Sequence, residues 1–255
     1  MNARQPCLPT GWMGTAFLAA VCASCHSSPS GGGGRTAPPP SVASDASSDS
    51  SAVVALGNDE SAAVRSWNFD DTADGASPNG FSFGRTGEGR EGKWVARTEA
   101  GAPSGAKVLA QVDADGTDYR FPVAWANEPV LRDLDLRVRC KPVSGKVDQA
   151  CGLVFRLRDA NNYYLTRANA LESNVRLYFV KDGHRQQIAS WSGRVTSRAW
   201  HELHAVAKGD HIEVFWNGVK VIDLRDGTFQ DAGKVGVWTK ADSVTYFDDL
   251  RVEPL

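Results

Sequence analysis

The sequence has no cysteines and histidines at the spacings typical of zinc ligands. Its 255 residues include only five histidines and five cysteines, with no second cysteine pair and no histidine at ligand spacing. Ser-His-Asp and Cys-His arrangements and a glycine-rich phosphate loop are absent as well. The sequence therefore offers no support for zinc enzymes, for enzymes with a serine or cysteine nucleophile, or for nucleotide-binding enzymes.

An excess of either charge is also lacking. Lysine and arginine together number 28 against 30 aspartates and glutamates, and the formal net charge is -2. A protein whose main partner is nucleic acid usually carries a basic surface. The charge balance therefore predicts no nucleic-acid partner.

The longest apolar segment near the N-terminus, residues 12–21, follows a basic start at Arg4. It has the length of a signal-peptide core and is too short to span a bilayer. Small residues and Cys25 follow it, as in the bacterial lipobox, although Cys22 stands where leucine is usual. We expect residues 1–25 to be a signal peptide of lipoprotein type.

Lipidation of Cys25 would place the protein in the cell envelope, in the periplasm or on the cell surface, with the N-terminal lipid as its contact with the membrane. The alternative is a conventional signal peptide and plain secretion. Residues 26–64 are rich in serine, glycine and proline, a composition typical of a disordered tether. As a flexible coil this tether would reach about 35 Å. Residues 65–255 are expected to form one domain, whose oligomeric state the sequence does not indicate.

Alternation of apolar and polar residues dominates that domain and predicts antiparallel strands. In residues 134–140, apolar side chains alternate with Asp and Arg, and the run CGLVFRLRD from Cys151 repeats the pattern. We interpret these two runs as a hairpin. No long run has the spacing of an amphipathic helix, and a dozen short strands must pack as two sheets. The predicted fold is all-β, a two-sheet antiparallel jelly-roll sandwich.

Cys140 and Cys151 lie on the core-facing side of the two runs, one on each side of the connecting loop. In an oxidising compartment they could form a disulfide. The alternative is a pair of buried thiols.

Three stretches carry a resemblance to a known superfamily. They are PVSGKVDQACGLVFRLRDANNYYLTRANALESNVRLYFV, WHELHAVAKGDHIEVFWNGVKVIDLRD and GKVGVWTKADSVTYFDDLRV. The domain resembles concanavalin A-like lectin/glucanase jelly rolls, and is similar to laminin-G-like and 3-keto-disaccharide hydrolase-type bacterial domains. The resemblance implies a saccharide or glycan partner. It leaves open a carbohydrate-binding domain, a hydrolase of the 3-keto-disaccharide kind, and a surface interaction module without sugar specificity.

The sequence has few carboxylates that could serve as the acid pair of a glycosidase. The Glu-x-Asp-x-x-Glu motif of the glucanase branch is absent. Asp248 and Asp249 could bind calcium together with Asp70 or Asp71, and no other cofactor is indicated. The alternative for this acidic pair is an exposed or salt-bridged strand end.

Four arginines share the polar side of the predicted hairpin: Arg137, Arg139, Arg156 and Arg158. Such a stripe could bind carboxylates or uronic acids through two parallel hydrogen bonds. The alternative is a solvated surface whose arginines pair with nearby acids.

Among the eight tryptophans, Trp238 is the candidate platform for stacking on a sugar ring. Val237 points the opposite way, so Trp238 is expected on the same side as Lys240. Trp125 and Trp191 lie near loops, where binding and loop packing are equally plausible.

The stretch DANNYYLTRANALESN, residues 159–174, is the strongest site candidate. Its last part brings donors and acceptors suited to hydroxyls or a carboxylate to one strand end, with Glu172 as the candidate catalytic residue. The alternative is that the asparagines cap turns and Arg167 pairs with Glu172. The predicted ligand-binding residues are Arg156, Tyr164, Arg167, Asn169, Glu172, Asn174, Trp238 and Lys240.

Overall fold

The computed structural model describes residues 63–255. The signal peptide, Cys25 and the tether, apart from its last two residues, lie outside the described residues. Within residues 63–255 no helix is long and apolar enough to cross a membrane. The strands are β1 Arg65–Trp67, β2 Phe81–Gly87, β3 Trp94–Thr98, β4 Lys107–Gln111, β5 Arg120–Ala126, β6 Leu134–Ser144, β7 Ala150–Asp159, β8 Asn162–Asn169, β9 Asn174–Lys181, β10 His184–Ser192, β11 His201–Lys208, β12 His211–Trp216, β13 Val219–Arg225, β14 Lys234–Trp238 and β15 Val244–Pro254.

These strands form two antiparallel sheets. Sheet A has the order β13-β12-β11-β6-β15-β4-β3, with β1 also paired to β15. Sheet B has the order β10-β9-β8-β7-β14-β5-β2. A core of buried apolar residues from both sheets fills the space between them. The predicted all-β, two-sheet sandwich is therefore confirmed.

Several connections are the tight hairpin turns that the sequence indicated. The turn from β9 to β10 has Asp182 and Gly183 at φ 51° and 77°, and the turn from β12 to β13 has Asn217 and Gly218 at φ 48° and 79°. Positive φ at both central residues matches the twist of the flanking strands, and asparagine, aspartate and glycine adopt it most readily.

The predicted hairpin of residues 134–140 with the run from Cys151 is wrong. The first run lies in β6, which pairs with β11 and β15 in sheet A, whereas the second lies in β7, between β8 and β14 in sheet B. Their core-facing sides meet across the sandwich rather than side by side. Cys140 and Cys151 are both buried there and form a disulfide, with Cα atoms 6.2 Å apart. The bond therefore joins the two sheets.

The central strands of sheet B are buried on both faces, whereas the outer face of sheet A has a smaller apolar cluster around Val108, Ala110 and Tyr246. The strands β6, β11 and β12 alternate buried and half-buried residues, whereas the first eight residues of β7 and the last seven of β8 are all buried. The extra burial comes from a second cluster on the outer face of sheet B, here called the outer core. It consists of Phe121, Val123, Ala150, Val154, Leu157, Tyr163, Leu165, Tyr178, Val180 and Trp238.

Sheet B curls around this outer core. Strands β2 and β8 are four places apart in the sheet, yet Oγ1 of Thr86 lies 2.6 Å from the hydroxyl of Tyr163. At the same side, the hydroxyl of Tyr119 donates to the carbonyl of Gly183 at 3.0 Å and accepts from the backbone N–H of Arg185 at 2.9 Å. The outer face of sheet B is therefore strongly concave.

Candidate functional site

One row of residues crosses the concave outer face of sheet B from β14 to β9. Trp238 is the Cα partner of Gly152, Gly152 of Arg167, and Arg167 of Arg176. Gly152 has no side chain, so nothing on β7 projects between the indole and the first guanidinium. This row connects the outer core to a polar cluster at the end of β8 and β9.

This polar cluster, here called the rim cluster, is centred on Glu172 in the β8–β9 turn and contains Arg167, Asn169, Glu172, Asn174 and Arg176. The Glu172 carboxylate accepts from Arg167 at 2.9 Å and from Asn174 at 3.0 Å, and it lies 3.1 Å from Arg176. Asn169 accepts the backbone N–H groups of the turn at residues 171 and 172. The structure thus brings together the four residues predicted to cluster at one strand end: Arg167, Asn169, Glu172 and Asn174. It also contains the two features of the alternative interpretation, an asparagine that caps the turn and a pair between Arg167 and Glu172.

A second chain of polar contacts continues from the rim cluster. Asn169 donates to Asp148 at 2.8 Å, and Lys240 lies 3.3 Å from the same carboxylate while also contacting Asp118. Asp148 is buried, with its side chain 2% exposed, whereas Asp118 is open to solvent at 77%. Lys240 therefore links a buried acid to an exposed one beside Tyr119.

The two acids of the site have pKa values shifted in opposite directions. Burial would raise the pKa of Glu172, but the hydrogen bond from Asn174 and the charges of Arg167 and Arg176 outweigh it, so the pKa is lowered. Burial raises the pKa of Asp148, against the favourable charges of Lys240 and Arg167. Glu172 is therefore a stable anion that can accept hydrogen bonds from a ligand.

Trp238 lies on the predicted face, but the prediction that it is an exposed platform is wrong. Its side chain is fully buried in the outer core, 5.3 Å from Phe121 between ring centroids, and its Nε1 donates to Tyr163 at 3.3 Å. The guanidinium of Arg185 lies over it, 5.9 Å from the indole and 4.7 Å from the ring of Tyr178. The strong curl of sheet B encloses the indole.

Tyr119 is an exposed aromatic residue at this face, and Trp125 is half-buried against the same outer core. The Tyr119 ring lies 4.6 Å from Phe121 between ring centroids, tilted by 58°, and the residue is 39% exposed. The hydroxyl is fixed by its contacts with Gly183 and Arg185. The ring therefore stands at a defined position, next in sequence to Asp118 and the Lys240 contact.

Arg156 and Tyr164 do not belong to this face, and their prediction as ligand residues is wrong. The register of β7 shifts after Phe155, and Arg156 has φ 47°, so the alternation stops there and the arginine turns inward. Its side chain is buried and donates to the carbonyls of residues 132, 209 and 229. Tyr164 packs in the core between the sheets and donates to Asp226, and burial raises its pKa to about 12.

The predicted arginine stripe is also divided. Arg137 and Arg139 lie on the outer face of sheet A, where Asp135 binds Arg137 at 2.8 Å. Arg156 is enclosed, and Arg158 pairs with the exposed Asp231. The bulge in β7 and the assignment of β6 and β7 to different sheets account for the division.

Asp248 and Asp249 do not form a shared ligand pair. Asp248 is buried and accepts from the backbone N–H and the hydroxyl of Ser104, and burial raises its pKa. Asp249 has φ 49° and lines a depression on the outer face of sheet A. Asp70 binds the backbone at residues 106 and 107. Each acid thus has a separate structural environment.

Within residues 63–255, one group of three potential metal ligands lies close enough to share an ion: His211, Glu213 and Asp223. The ammonium of Lys220 lies 2.8 Å from Glu213 and 2.6 Å from Asp223. Lys220 thus bridges the two carboxylates, and His211 contacts Asp223 as well, so the group is an ion-pair cluster.

Sequence reasoning missed several residues of the concave face: Asp118, Tyr119, Asp148, Arg176 and Arg185. A signal for Tyr119 existed in the run YRFPVAWA, where tyrosine, phenylalanine, valine and tryptophan share one side, while arginine, proline and two alanines occupy the other. Beyond Arg120 the run is apolar on both sides, which predicts burial on both faces. Arg185 reaches this face through the curl of the sheet, whereas the other three are placed by the pairing of neighbouring strands.

Comparison with known proteins places the fold. No family model and no curated protein sequence matches the chain. Among solved structures, the carbohydrate-binding module CBM66 from Bacillus subtilis is 21% identical, with a TM-score of 0.53 over 69% of this chain and 97% of that one. Cellulose induced protein Cip1 is 12% identical, with a TM-score of 0.54 over 75% of this chain and 97% of that one. The exoplasmic/lumenal domain of VIP36, in its Ca2+/Man3GlcNAc-bound form, is 10% identical, with a TM-score of 0.50 over 69% and 84%. The fold is the concanavalin A-like jelly-roll sandwich that the resemblance implied.

Proposed function

We propose that this protein binds carbohydrate on the concave face of sheet B, between Tyr119 and the rim cluster. The observation that carries the proposal is the exposed Tyr119 ring, fixed at its hydroxyl, beside charged groups that are open to solvent. Glu172 and Arg176 have side chains that are 40% and 31% exposed. Lys240 contacts both Asp118 and Asp148, and Asp148 accepts from Asn169, so contacts connect the residue before Tyr119 to the rim cluster.

This combination suits a sugar. An aromatic face packs against the C–H groups of a pyranose or furanose ring, while carboxylates and guanidinium groups bond to its hydroxyls. Glu172 accepts hydrogen bonds, and Arg176 and Lys240 donate them. Their mutual contacts hold these groups in place before a ligand arrives, which reduces the entropy lost on binding. The likeness of the fold to a solved carbohydrate-binding module supports the same proposal.

The test is a glycan array followed by titration calorimetry with the bound glycans. We expect Tyr119→Ala to weaken binding by about tenfold, because the stacking surface is lost. The single variant Glu172→Gln should weaken binding more than Tyr119→Ala does. Tyr119→Phe retains the ring and is the matched control, expected to bind within a few-fold of wild type. Absence of any glycan binding contradicts the proposal and favours an interaction module without sugar specificity. Glycan affinity unchanged in both Tyr119→Ala and Glu172→Gln also contradicts the proposal, because the sugar then binds at another surface.

A second candidate function, hydrolysis of 3-keto disaccharides, is favoured by the opposite pKa directions of Glu172 and Asp148, since such pairs serve as acid and base. The burial of Asp148 behind Lys240 and Asn169 favours binding over catalysis. An assay on 3-keto disaccharides decides between them. Turnover that Glu172→Gln abolishes would establish the hydrolase.

We also propose that Cys25 carries the lipid that holds the protein in the cell envelope. The proposal depends on the lipobox-like segment before Cys25. Metabolic labelling with a palmitate analogue should mark wild type and leave Cys25→Ser unlabelled. Labelling of neither would favour plain secretion, and equal labelling of both would show that the lipid is on a residue other than Cys25.

A further inference from the structure

A depression of about 360 Å³ lies on the outer face of sheet A, on the opposite side of the sandwich from the rim cluster. Its charged lining residues are Arg137, Arg139, Glu202, Asp249 and Arg251. Arg137 and Arg139 come from β6, Glu202 from β11, and the other two from β15. The register of β15 against β6 shifts between residues 248 and 251, and this bulge turns Asp249 and Arg251 toward the depression.

The three arginines are crowded. Arg137 and Arg251 are direct Cα partners on adjacent strands, an arrangement in which like charges destabilise a sheet. Each is partly neutralised by an acid two residues away on its own strand: Asp135 at 2.8 Å and Glu253 at 2.6 Å. These acids hold the guanidinium groups from one side and leave the other side free to bind an anion.

Arg139 lacks even this compensation. Its Nε is buried and has no hydrogen-bond partner among residues 63–255. Glu202 is its Cα partner on β11, yet the two side chains form no ion pair in the described part of the chain. A buried donor on a charged group without an acceptor is costly. An oxyanion bound to the other nitrogens of this guanidinium group would supply the counter-charge that residues 63–255 do not.

We propose that this depression binds the carboxylate of a sugar acid. A planar carboxylate matches the fork of a guanidinium group, and Arg139 with Arg251 would hold it. Glu202 and Asp249 would accept hydrogen bonds from hydroxyls on the same ligand, which a simple anion does not have. The volume is at the lower end of the range for small-molecule sites and suits one monosaccharide unit.

The test is titration calorimetry of the full chain with glucuronate, and with glucose as the neutral counterpart. We expect glucuronate to bind and glucose not to compete for this site. Arg139→Gln and Arg251→Gln should each weaken glucuronate binding by about tenfold or more. Arg158→Gln is the matched control, since its side chain is 46% exposed against 45% for Arg251 and it lies on sheet B; its affinity should stay within about twofold of wild type.

Failure of this inference is distinguishable from failure of the proposed function. Absence of glucuronate binding, displacement of glucuronate by glucose, or wild-type affinity in both arginine variants overturns it. If glucuronate binding is lost in Glu172→Gln and retained in Arg139→Gln, the ligand binds at the rim cluster and the inference is wrong while the first site stands. Equal affinity for inorganic phosphate would overturn the choice of a sugar acid. Circular dichroism and thermal unfolding of each variant verify its fold.

Discussion

Two arginines only two residues apart on β7 have opposite environments. Arg156 is completely enclosed and donates to three backbone carbonyls, while Arg158 is about half exposed and pairs with one exposed acid. The difference comes from the positive φ of Arg156, which interrupts the alternation of the strand. Arg156 therefore joins the loops at residues 132, 209 and 229 and has a structural role.

Replacing these two arginines should have unequal effects on stability. Arg156→Met leaves three carbonyls without their donor, and we expect a loss of about 3 kcal/mol or more in the free energy of unfolding. Arg158→Met should cost less than about 0.5 kcal/mol, because an exposed ion pair contributes little. Urea unfolding at neutral pH measures both. Similar losses in the two variants would contradict the structural role given to Arg156.

Glu172 makes stability dependent on pH in a definite direction. Its pKa is lowered from the ordinary value of 4.5 in the folded protein, so the folded state binds fewer protons than the unfolded state below that pH. The resulting stabilisation is complete above about pH 4.5 and disappears as the pH falls through the folded-state pKa.

We therefore expect wild type to exceed Glu172→Gln in unfolding free energy at pH 6, by at most about 1 kcal/mol because the group is partly exposed and screened. The difference should shrink as the pH falls below about 4.5 and disappear once the folded-state carboxylate is protonated. Urea titrations across this range measure it. A difference that grows on acidification would contradict the lowered pKa.

At the scale of the strands, the sequence predicts sheet A better than sheet B. β11 and β12 alternate as expected because their outer side in sheet A is only half-buried. In sheet B the alternation is obscured because both faces are apolar. Pairing between strands was harder still: a short loop after β6 suggested a hairpin, whereas the chain crosses to the other sheet.

The same limit applies to the site. Arg167, Asn169, Glu172 and Asn174 are close in sequence around one turn, so their clustering was predictable. Asp148 reaches Asn169 because β7 pairs with β8. Tyr119 reaches the β9–β10 turn because sheet B curls, and no local pattern specifies this curl. Trp238 was assigned to the right face, but its burial depends on the covering Arg185 from β10.

The disulfide between the sheets should contribute a measurable part of the stability. Cys140 and Cys151 are 11 residues apart, and closing a loop of that size restricts the unfolded chain by about 2–3 kcal/mol. We expect the Cys140→Ala/Cys151→Ala double variant to lose about this amount in guanidinium unfolding. Reductant should lower the stability of wild type and leave the double variant unchanged. Equal sensitivity of both proteins to reductant would contradict the assignment.

At the scale of the whole domain, buried apolar side chains cover both faces of sheet B; the inner layer is shared with sheet A, whose outer face has a smaller cluster around Val108, Ala110 and Tyr246. The central strands β7 and β8 are covered on both faces, whereas β10 at the edge of sheet B and β13 at the edge of sheet A are largely half-buried or exposed. Backbone hydrogen bonds buried on both faces open only when the surrounding core opens. The outer core therefore predicts uneven resistance to local unfolding between the centre of sheet B and the edge strands of both sheets.

Native-state hydrogen exchange should detect this gradient. Amides of β7 and β8 are expected to exchange with the free energy of global unfolding, and those of β10 and β13 with a smaller one, through local opening. Tyr163→Phe, which removes the hydroxyl shared by Thr86 and Trp238, should lower protection throughout sheet B without changing this order. Protection of β10 equal to that of β8 would contradict a sheet whose stability depends on its curled outer core.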